Sequence, residues 1–195
     1  MRIGILSDTH GYLDPNLPPL FQGVSVIFHA GDVGGQPVLD QLRGLAPVEA
    51  VTGNIDPCDL GLPSTLTRQV DGVGIYMLHQ LPYAPSDLRE WATLESLGKK
   101  PAWQCRRFLE SLPEGCRVII FGHSHEPCGL VLGSKLFCNP GSAGKKRFSL
   151  PRCCGVLEIS SGTVQATFLS LESYNQTVPE AVRLPLGGTK PCGKS

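Results

Sequence analysis

Five short segments of this 195-residue chain carry side chains able to hold metal ions: Asp8-Thr9-His10, His29-Ala30-Gly31-Asp32, Gly53-Asn54-Ile55-Asp56, Leu78-His79 and Gly122-His123-Ser124-His125. They contain all five histidines of the chain, and a neutral imidazole is the commonest side-chain metal ligand. The donor set is two carboxylates (Asp8, Asp32), one amide oxygen (Asn54) and four imidazoles (His10, His79, His123, His125). Such a mixture suits manganese, iron, zinc, cobalt or nickel better than magnesium or calcium, which prefer all-oxygen shells. Seven donors are too many for one tetrahedral ion but suit two ions that share a bridging carboxylate. Two divalent ions bring about four positive charges. Asp8 and Asp32 cancel two and a bridging hydroxide a third, so the residual charge favours an anionic substrate such as a phosphate ester. Ions roughly 3.5–4 Å apart can activate the bridging water and stabilise phosphoryl oxygens during in-line attack.

Four of these segments come directly after apolar runs. Ile3-Gly4-Ile5-Leu6 precedes Asp8, Val26-Ile27-Phe28 precedes Asp32, Val48 to Val51 precedes Asn54, and Val118-Ile119-Ile120-Phe121 precedes His123. In parallel α/β sheets, ligands bind outside the carboxyl ends of the strands, so these groups are expected on one edge of one sheet. The i, i+2 spacing of Asp8/His10 and His123/His125 predicts side chains on one side of an extended segment. Gly11, Gly31, Gly53 and Gly122 permit tight turns beside the ligands.

Strands are expected over Arg2–Leu6, Val24–Phe28, Val48–Val51, Val73–Leu78 and Arg117–Phe121, with helical spacing over Pro37–Leu45. Strand, helix, strand at this spacing indicates parallel βαβ units. Between the first two strands, Pro15, Pro18 and Pro19 limit Leu13–Gln22 to one helical turn plus loop. Asp87–Leu97 and Ala102–Leu112 read as helices, the first capped by Ser86. Short strands follow at Leu130–Leu132, Lys135–Asn139, Cys154–Ile159 and Thr163–Leu169, with hairpin turns at Gly133-Ser134 and Ser161-Gly162. One domain over 1–178 is expected, with 179–195 a C-terminal tail rich in Pro, Gly and Lys, partly disordered over its last eight or so residues.

Bulk properties fit an ordinary globular domain. Hydrophobic residues make up 41% of the chain, and 17 basic residues balance 17 acidic ones. That balance gives no electrostatic draw toward nucleic acid or an anionic membrane. The 23 glycines and 17 prolines imply many turns between short elements. The N-terminal apolar run is too short for a signal peptide or a membrane span, so a cytoplasmic protein is expected. The eight cysteines include no Cys-x-x-Cys pair, and reduced, partly buried thiols are expected.

The ordered set Asp8/His10, Gly31-Asp32, Gly53-Asn54, His79 and Gly122-His123-Ser124-His125 resembles the calcineurin-like metallophosphoesterase superfamily. Ser7-Asp8-Thr9-His10-Gly11, His29-Ala30-Gly31-Asp32 and Asn139-Pro140-Gly141-Ser142 resemble more narrowly its small bacterial and archaeal phosphodiesterase branch, related to a eukaryotic retromer subunit; the likeness runs from Met1 to about Leu169. The resemblance implies a four-layer αββα sandwich of class α/β. It also implies that Asp8, His10 and His125 bind one metal, that Asn54, His79 and His123 bind a second, and that Asp32 bridges them. The implied activity is phosphodiester hydrolysis with two divalent transition-metal ions, manganese foremost, acting on a small phosphate ester. The competing expectation is a scaffold that keeps the fold without catalysis.

Three features depart from the family pattern. Ile55 stands where many members carry a histidine that protonates the leaving group, so no side-chain general acid is assigned. Gln80 replaces a glycine in the branch's usual His-Gly-His. The stretch between His79 and His123 is longer than the branch suggests, and Asp87–Leu112 is expected to form a lid or a dimer contact, leaving a homo-oligomer open. Among neighbouring residues, His29 is read as a support for the ligands or a structural residue and Asp56 as a turn or supporting residue. Asn139-Pro140-Gly141-Ser142 reads as a strand-ending turn, with a role of Asn139 and Ser142 in shaping the site implied by the resemblance alone. Lys145-Lys146-Arg147 reads as a solvated loop, and Trp91 and Trp103 as core or interface residues.

Overall fold

Alternate side chains along the central strands enter different cores, because successive Cβ atoms of a strand point to opposite faces. The computed structural model describes residues 1–146, 149–160, 162–172 and 181–186. Its strands are β1 (Arg2–Leu6), β2 (Val26–His29), β3 (Val48–Ala50), β4 (Thr65–Val70), β5 (Val73–Leu78), β6 (Cys116–Ile120), β7 (Cys128–Leu132), β8 (Lys135–Asn139), β9 (Cys153–Ser160), β10 (Thr163–Ser170) and β11 (Val182–Pro185). The helices are α1 (Leu17–Leu20), α2 (Gln36–Arg43), α3 (Pro85–Ser96) and α4 (Trp103–Ser111). One sheet has the order β11-β10-β9-β1-β2-β3, the other β4-β5-β6-β8-β7. β1, β2 and β3 run parallel, as do β5, β6 and β8.

Ile3 and Ile5 of β1 meet Val118 and Ile120 of β6 in the core between the sheets, together with Met77, Leu157 and Phe168. Leu6 and Ile27 face outward from the first sheet onto Leu17, Phe21, Leu39 and Leu42 of the α1 and α2 region. Ile119, Phe121 and Phe137 face outward from the second sheet onto Leu88, Trp91, Cys105 and Phe108 of α3 and α4. Helices therefore cover both outer faces, giving the four-layer αββα architecture of the expected class.

Several local expectations need correcting. Helix α3 starts at Pro85 after Ala84, not at a Ser86 cap; Pro suits the first helical turn, and the Asp87 carboxylate accepts the Ala84 N–H at 3.0 Å. The segment read as a lid or dimer contact packs Leu88, Trp91 and Phe108 into the outer layer of the second sheet, and Tyr83 and Ala84 just before it line a cavity that also includes His123. Trp103, in contrast, is 66% exposed. The polar edge strand β4 and the short β11 had no counterpart in the sequence reading, and β11 falls within the stretch read as tail. Residues 187–195, Arg147 and Ser161 lie outside the described residues. Among the described residues seven cysteines are free, six of them buried. Among the described residues no helix is long and apolar enough to cross a membrane.

Candidate metal centre

The loops after β1 and β2 are laced together beyond the strand ends. Asp8, His10 and Gly11 donate their backbone N–H groups to the carbonyls of Gly31 (3.0 Å), Asp32 (2.9 Å) and Val33 (2.9 Å). Across the other sheet, Gly122 N–H bonds the His79 carbonyl at 2.9 Å. The two halves are then joined by the Asp8 carboxylate, whose Oδ2 accepts the His123 backbone N–H at 3.1 Å. Donors thus converge from the carboxyl ends of strands in two facing sheets, not from the edge of one sheet as expected.

Their backbone differs from expectation too. Asp8, His10, Asp32, His123 and His125 all have positive φ, between 49° and 68°. That conformation is costly for non-glycine residues and is held only where the surroundings over-determine it. Same-side placement of Asp8/His10 and of His123/His125 comes from these left-handed turns, not from an extended segment. Two glycines make the approach possible. A Cβ on Gly53 would lie 2.0 Å from Asp32 Oδ1, and one on Gly122 would lie 1.9 Å from Ser7 Oγ.

The seven donors fall into two groups around Asp32. In the first, Asp8 Oδ1 lies 3.3 Å from His125 Nε2 and 4.0 Å from His10 Nε2, and the two imidazole nitrogens are 3.2 Å apart. In the second, Asn54 Oδ1 lies 3.1 Å from both His79 Nε2 and His123 Nδ1. Asp32 stands between them, Oδ2 3.8 Å from His10 Nε2 and Oδ1 3.5 Å from His79 Nε2.

These contacts have the chemistry of a cation site. His79 Nδ1 is 2.8 Å from the Ala30 carbonyl, so it carries the ring proton and Nε2 presents a lone pair toward the lone pairs of Asn54 Oδ1. Asp8 Oδ1 is buried, with no well-formed hydrogen bond and only the His125 imidazole facing it at 3.3 Å, an expensive state for a carboxylate oxygen that a cation would relieve. Burial raises the Asp8 pKa, but the neighbouring His125, then Ser7 and His79, outweigh it and hold the carboxyl below its usual range. Asp8 with His10 and His125, and Asp8 with Asp32 and His79, are each close enough to grip one ion. The residues present therefore fit divalent metal binding.

The surrounding residues hold the donors in place. His29 is fully buried; its Nε2 is 2.9 Å from Thr9 Oγ1, which in turn donates to the Val33 carbonyl at 2.9 Å. His29 therefore braces the residue between Asp8 and His10. Its burial, with smaller opposing effects of Asp8 and Asp56, lowers its pKa to about 4. The Asp56 carboxylate accepts from Gly34 and Gly53 N–H, both at 2.8 Å, clamping the Asp32 loop to the Asn54 loop. Ser142 donates to the Asp8 carbonyl at 2.9 Å. Asn139 Nδ2 bonds the Gly122 carbonyl at 2.9 Å and Ser124 Oγ at 3.0 Å. Lys146 pairs with Glu172 at 3.0 Å, and Lys145 lies over the Tyr12 ring. Sequence reasoning missed Ser7 and Thr9 as braces. The one available signal was a hydroxyl residue adjoining each ligand of Ser7-Asp8-Thr9-His10.

Residues 1–162 match the calcineurin-like phosphoesterase superfamily domain, and the chain belongs to that family. It is 33% identical over 159 residues to a probable metallophosphoesterase of Methanocaldococcus jannaschii, covering 78% of this chain and 71% of that one. A probable metallophosphoesterase of Methanothermobacter thermautotrophicus is 30% identical over 157 residues, covering 77% and 82%. Among solved structures, Vps29 of Chaetomium thermophilum superposes with a TM-score of 0.74 at 16% identity, covering 100% of both chains. Vps29 of Entamoeba histolytica in complex with zinc gives 0.68 at 23%, covering 96% of this chain and 100% of the other. YfcE, a phosphoesterase from E. coli, gives 0.63 at 20%, covering 94% and 100%. These structures share the fold.

Proposed function

We propose that this protein hydrolyses phosphodiesters at a centre of two divalent transition-metal ions, manganese foremost. Asp8, His10 and His125 hold one ion, Asn54, His79 and His123 the other, and Asp32 is shared. The observation that carries this reading is the position of the Asp32 carboxylate, with one oxygen 3.8 Å from His10 Nε2 and the other 3.5 Å from His79 Nε2. When bound, the ions supply Lewis acidity toward phosphoryl oxygens and make a water acidic enough to attack at neutral pH.

The chain's own residues do the rest. Two carboxylates leave a donor set of lower negative charge than the cations it holds, so an anionic ester is attracted. The laced loops and the Asp56 clamp fix the donors before substrate arrives, so little reorganisation is needed during reaction. Ile55, 47% exposed, brings no proton to the leaving oxygen, while its backbone N–H holds Asp32 Oδ1 at 3.0 Å. The presence of all seven donors, brought together around Asp32, supports the enzyme over a scaffold without catalysis.

The test is hydrolysis of an aryl phosphodiester by purified protein. Activity should vanish with a chelator, return with manganese, and fall by at least about a thousandfold in Asp32→Ala, a loss within the scale of metal-assisted catalysis. Equal rates in wild type and D32A would remove this reading in favour of the scaffold.

A further inference from the structure

A cavity of about 240 Å³ lies beside the metal centre, walled by the chain from Gln80 to Pro85 and by Phe121 to Ser124. It adjoins the centre, because His123 forms part of its wall and Gln80 of that wall follows His79 directly. None of its lining residues is Asp, Glu, Lys or Arg; Leu81, Pro82, Tyr83 and Phe121 supply apolar surface, and Gln80 and Ser124 supply neutral polar groups.

The apolar walls are packed against the core. Leu81 and Phe121 are buried. The Tyr83 ring sits edge-on to Trp91, centroids 4.8 Å apart, and to Phe108 at 5.4 Å, an arrangement aromatic pairs favour. Opposite, the Asn139 amide holds both the Gly122 carbonyl and Ser124 Oγ. Walls packed in this way need little reorganisation to accept a ligand. Its volume is below the roughly 300–1,000 Å³ of sites for drug-sized ligands, which limits the occupant to a fragment about one ring in size.

We propose that this cavity receives the organic group of the phosphate ester, a single flat aromatic or apolar ring, while the phosphate lies at the metal centre. The proposal rests on the phosphoesterase reading above and gives it a substrate class: small phosphate esters bearing an uncharged ring on an ester oxygen. Gln80 and Tyr83 then set specificity, the first as an exposed polar group of the lining, the second as an aromatic wall.

Calorimetric titration of the manganese-loaded protein with phenylphosphonate and methylphosphonate, at a pH where both are dianions, tests this without depending on turnover. Phenylphosphonate should bind about tenfold tighter, as burial of an additional apolar ring requires. Ala84 lines the cavity and is solvent-exposed, with its side chain outside the buried cores. Ala84→Phe should fill the space and bring the two affinities within about twofold of each other. Tyr83→Ala, which removes the aromatic wall, should likewise narrow the difference. Equal binding of the two phosphonates by wild type, or an undiminished phenyl preference in folded A84F, would overturn the cavity assignment and leave the phosphoesterase reading standing. Failure of both phosphonates to bind would overturn that reading, and the cavity assignment with it.

Discussion

His79 Nδ1 lies 2.8 Å from the carbonyl oxygen of Ala30. The bond spans the two sheets and decides which ring nitrogen faces the centre. Metal-binding histidines commonly donate their second nitrogen in this way, fixing tautomer and ring orientation. Gly31, next to Ala30, makes room for the ring: a Cβ there would lie 2.7 Å from His79 Nδ1. His79→Ala should weaken manganese binding at one of the two sites by at least about tenfold, leaving the other site occupied. Calorimetric titration of metal-stripped protein would show one strong and one weakened event. Two unchanged events would mean that His79 is only a packed side chain.

Gly53 is sterically committed to Asp32. A Cβ at this position would meet Asp32 Oδ1 at 2.0 Å and Asp32 N at 2.2 Å. Backbone cannot yield as a flexible side chain does, so Gly53→Ala should cost about 1–3 kcal/mol of stability and displace the Asp32 carboxylate. Denaturant unfolding measures the first effect and manganese affinity the second. A variant with wild-type stability and wild-type metal binding would show that the contact relaxes freely.

His29 predicts a pH dependence of stability. Its folded pKa of about 4 lies below the ordinary value of 6.5, chiefly because it is buried. Between those values the unfolded chain binds a proton that the folded chain does not. The contribution is therefore complete above pH 6.5 and is lost as pH falls toward 4, reaching about 3 kcal/mol. Denaturation of metal-stripped protein at pH 7 and pH 4.5 should show a larger loss for wild type than for His29→Gln. Parallel pH profiles would contradict it.

Leaving-group chemistry follows from Ile55. Without a proton donor there, rates should depend steeply on the leaving alcohol, aryl esters exceeding alkyl esters by at least about a hundredfold, the scale of general-acid catalysis. Ile55→His should narrow that gap. Steady-state rates across a series of phosphodiesters decide it, and comparable alkyl and aryl rates in wild type would contradict the expectation.

Much of this fold was readable because its central strands are buried on both faces. β1, β5, β6 and β8 announce themselves as apolar runs. The edge strand β4, Thr65-Leu66-Thr67-Arg68-Gln69-Val70, does not: it pairs with β5 along one side and faces solvent on much of its surface, so it needs no apolar run. The side chains that the structure gathers into the candidate centre were readable as residue types in order after strand ends. Their left-handed backbone was not, because φ at Asp8 or His123 is imposed by hydrogen bonds to distant loops. Distribution of the donors over two sheets was equally hidden, since strand polarity alone does not say which sheet a strand joins.

Metal stoichiometry tests the central claim most directly. Manganese added to stripped protein, followed by desalting and elemental analysis, should leave about two ions per wild-type chain and at most about one in Asp32→Ala with the fold intact. A wild-type chain that retains a single ion or none, or a D32A chain that still retains both, would contradict the account of two cations gripped around one shared carboxylate.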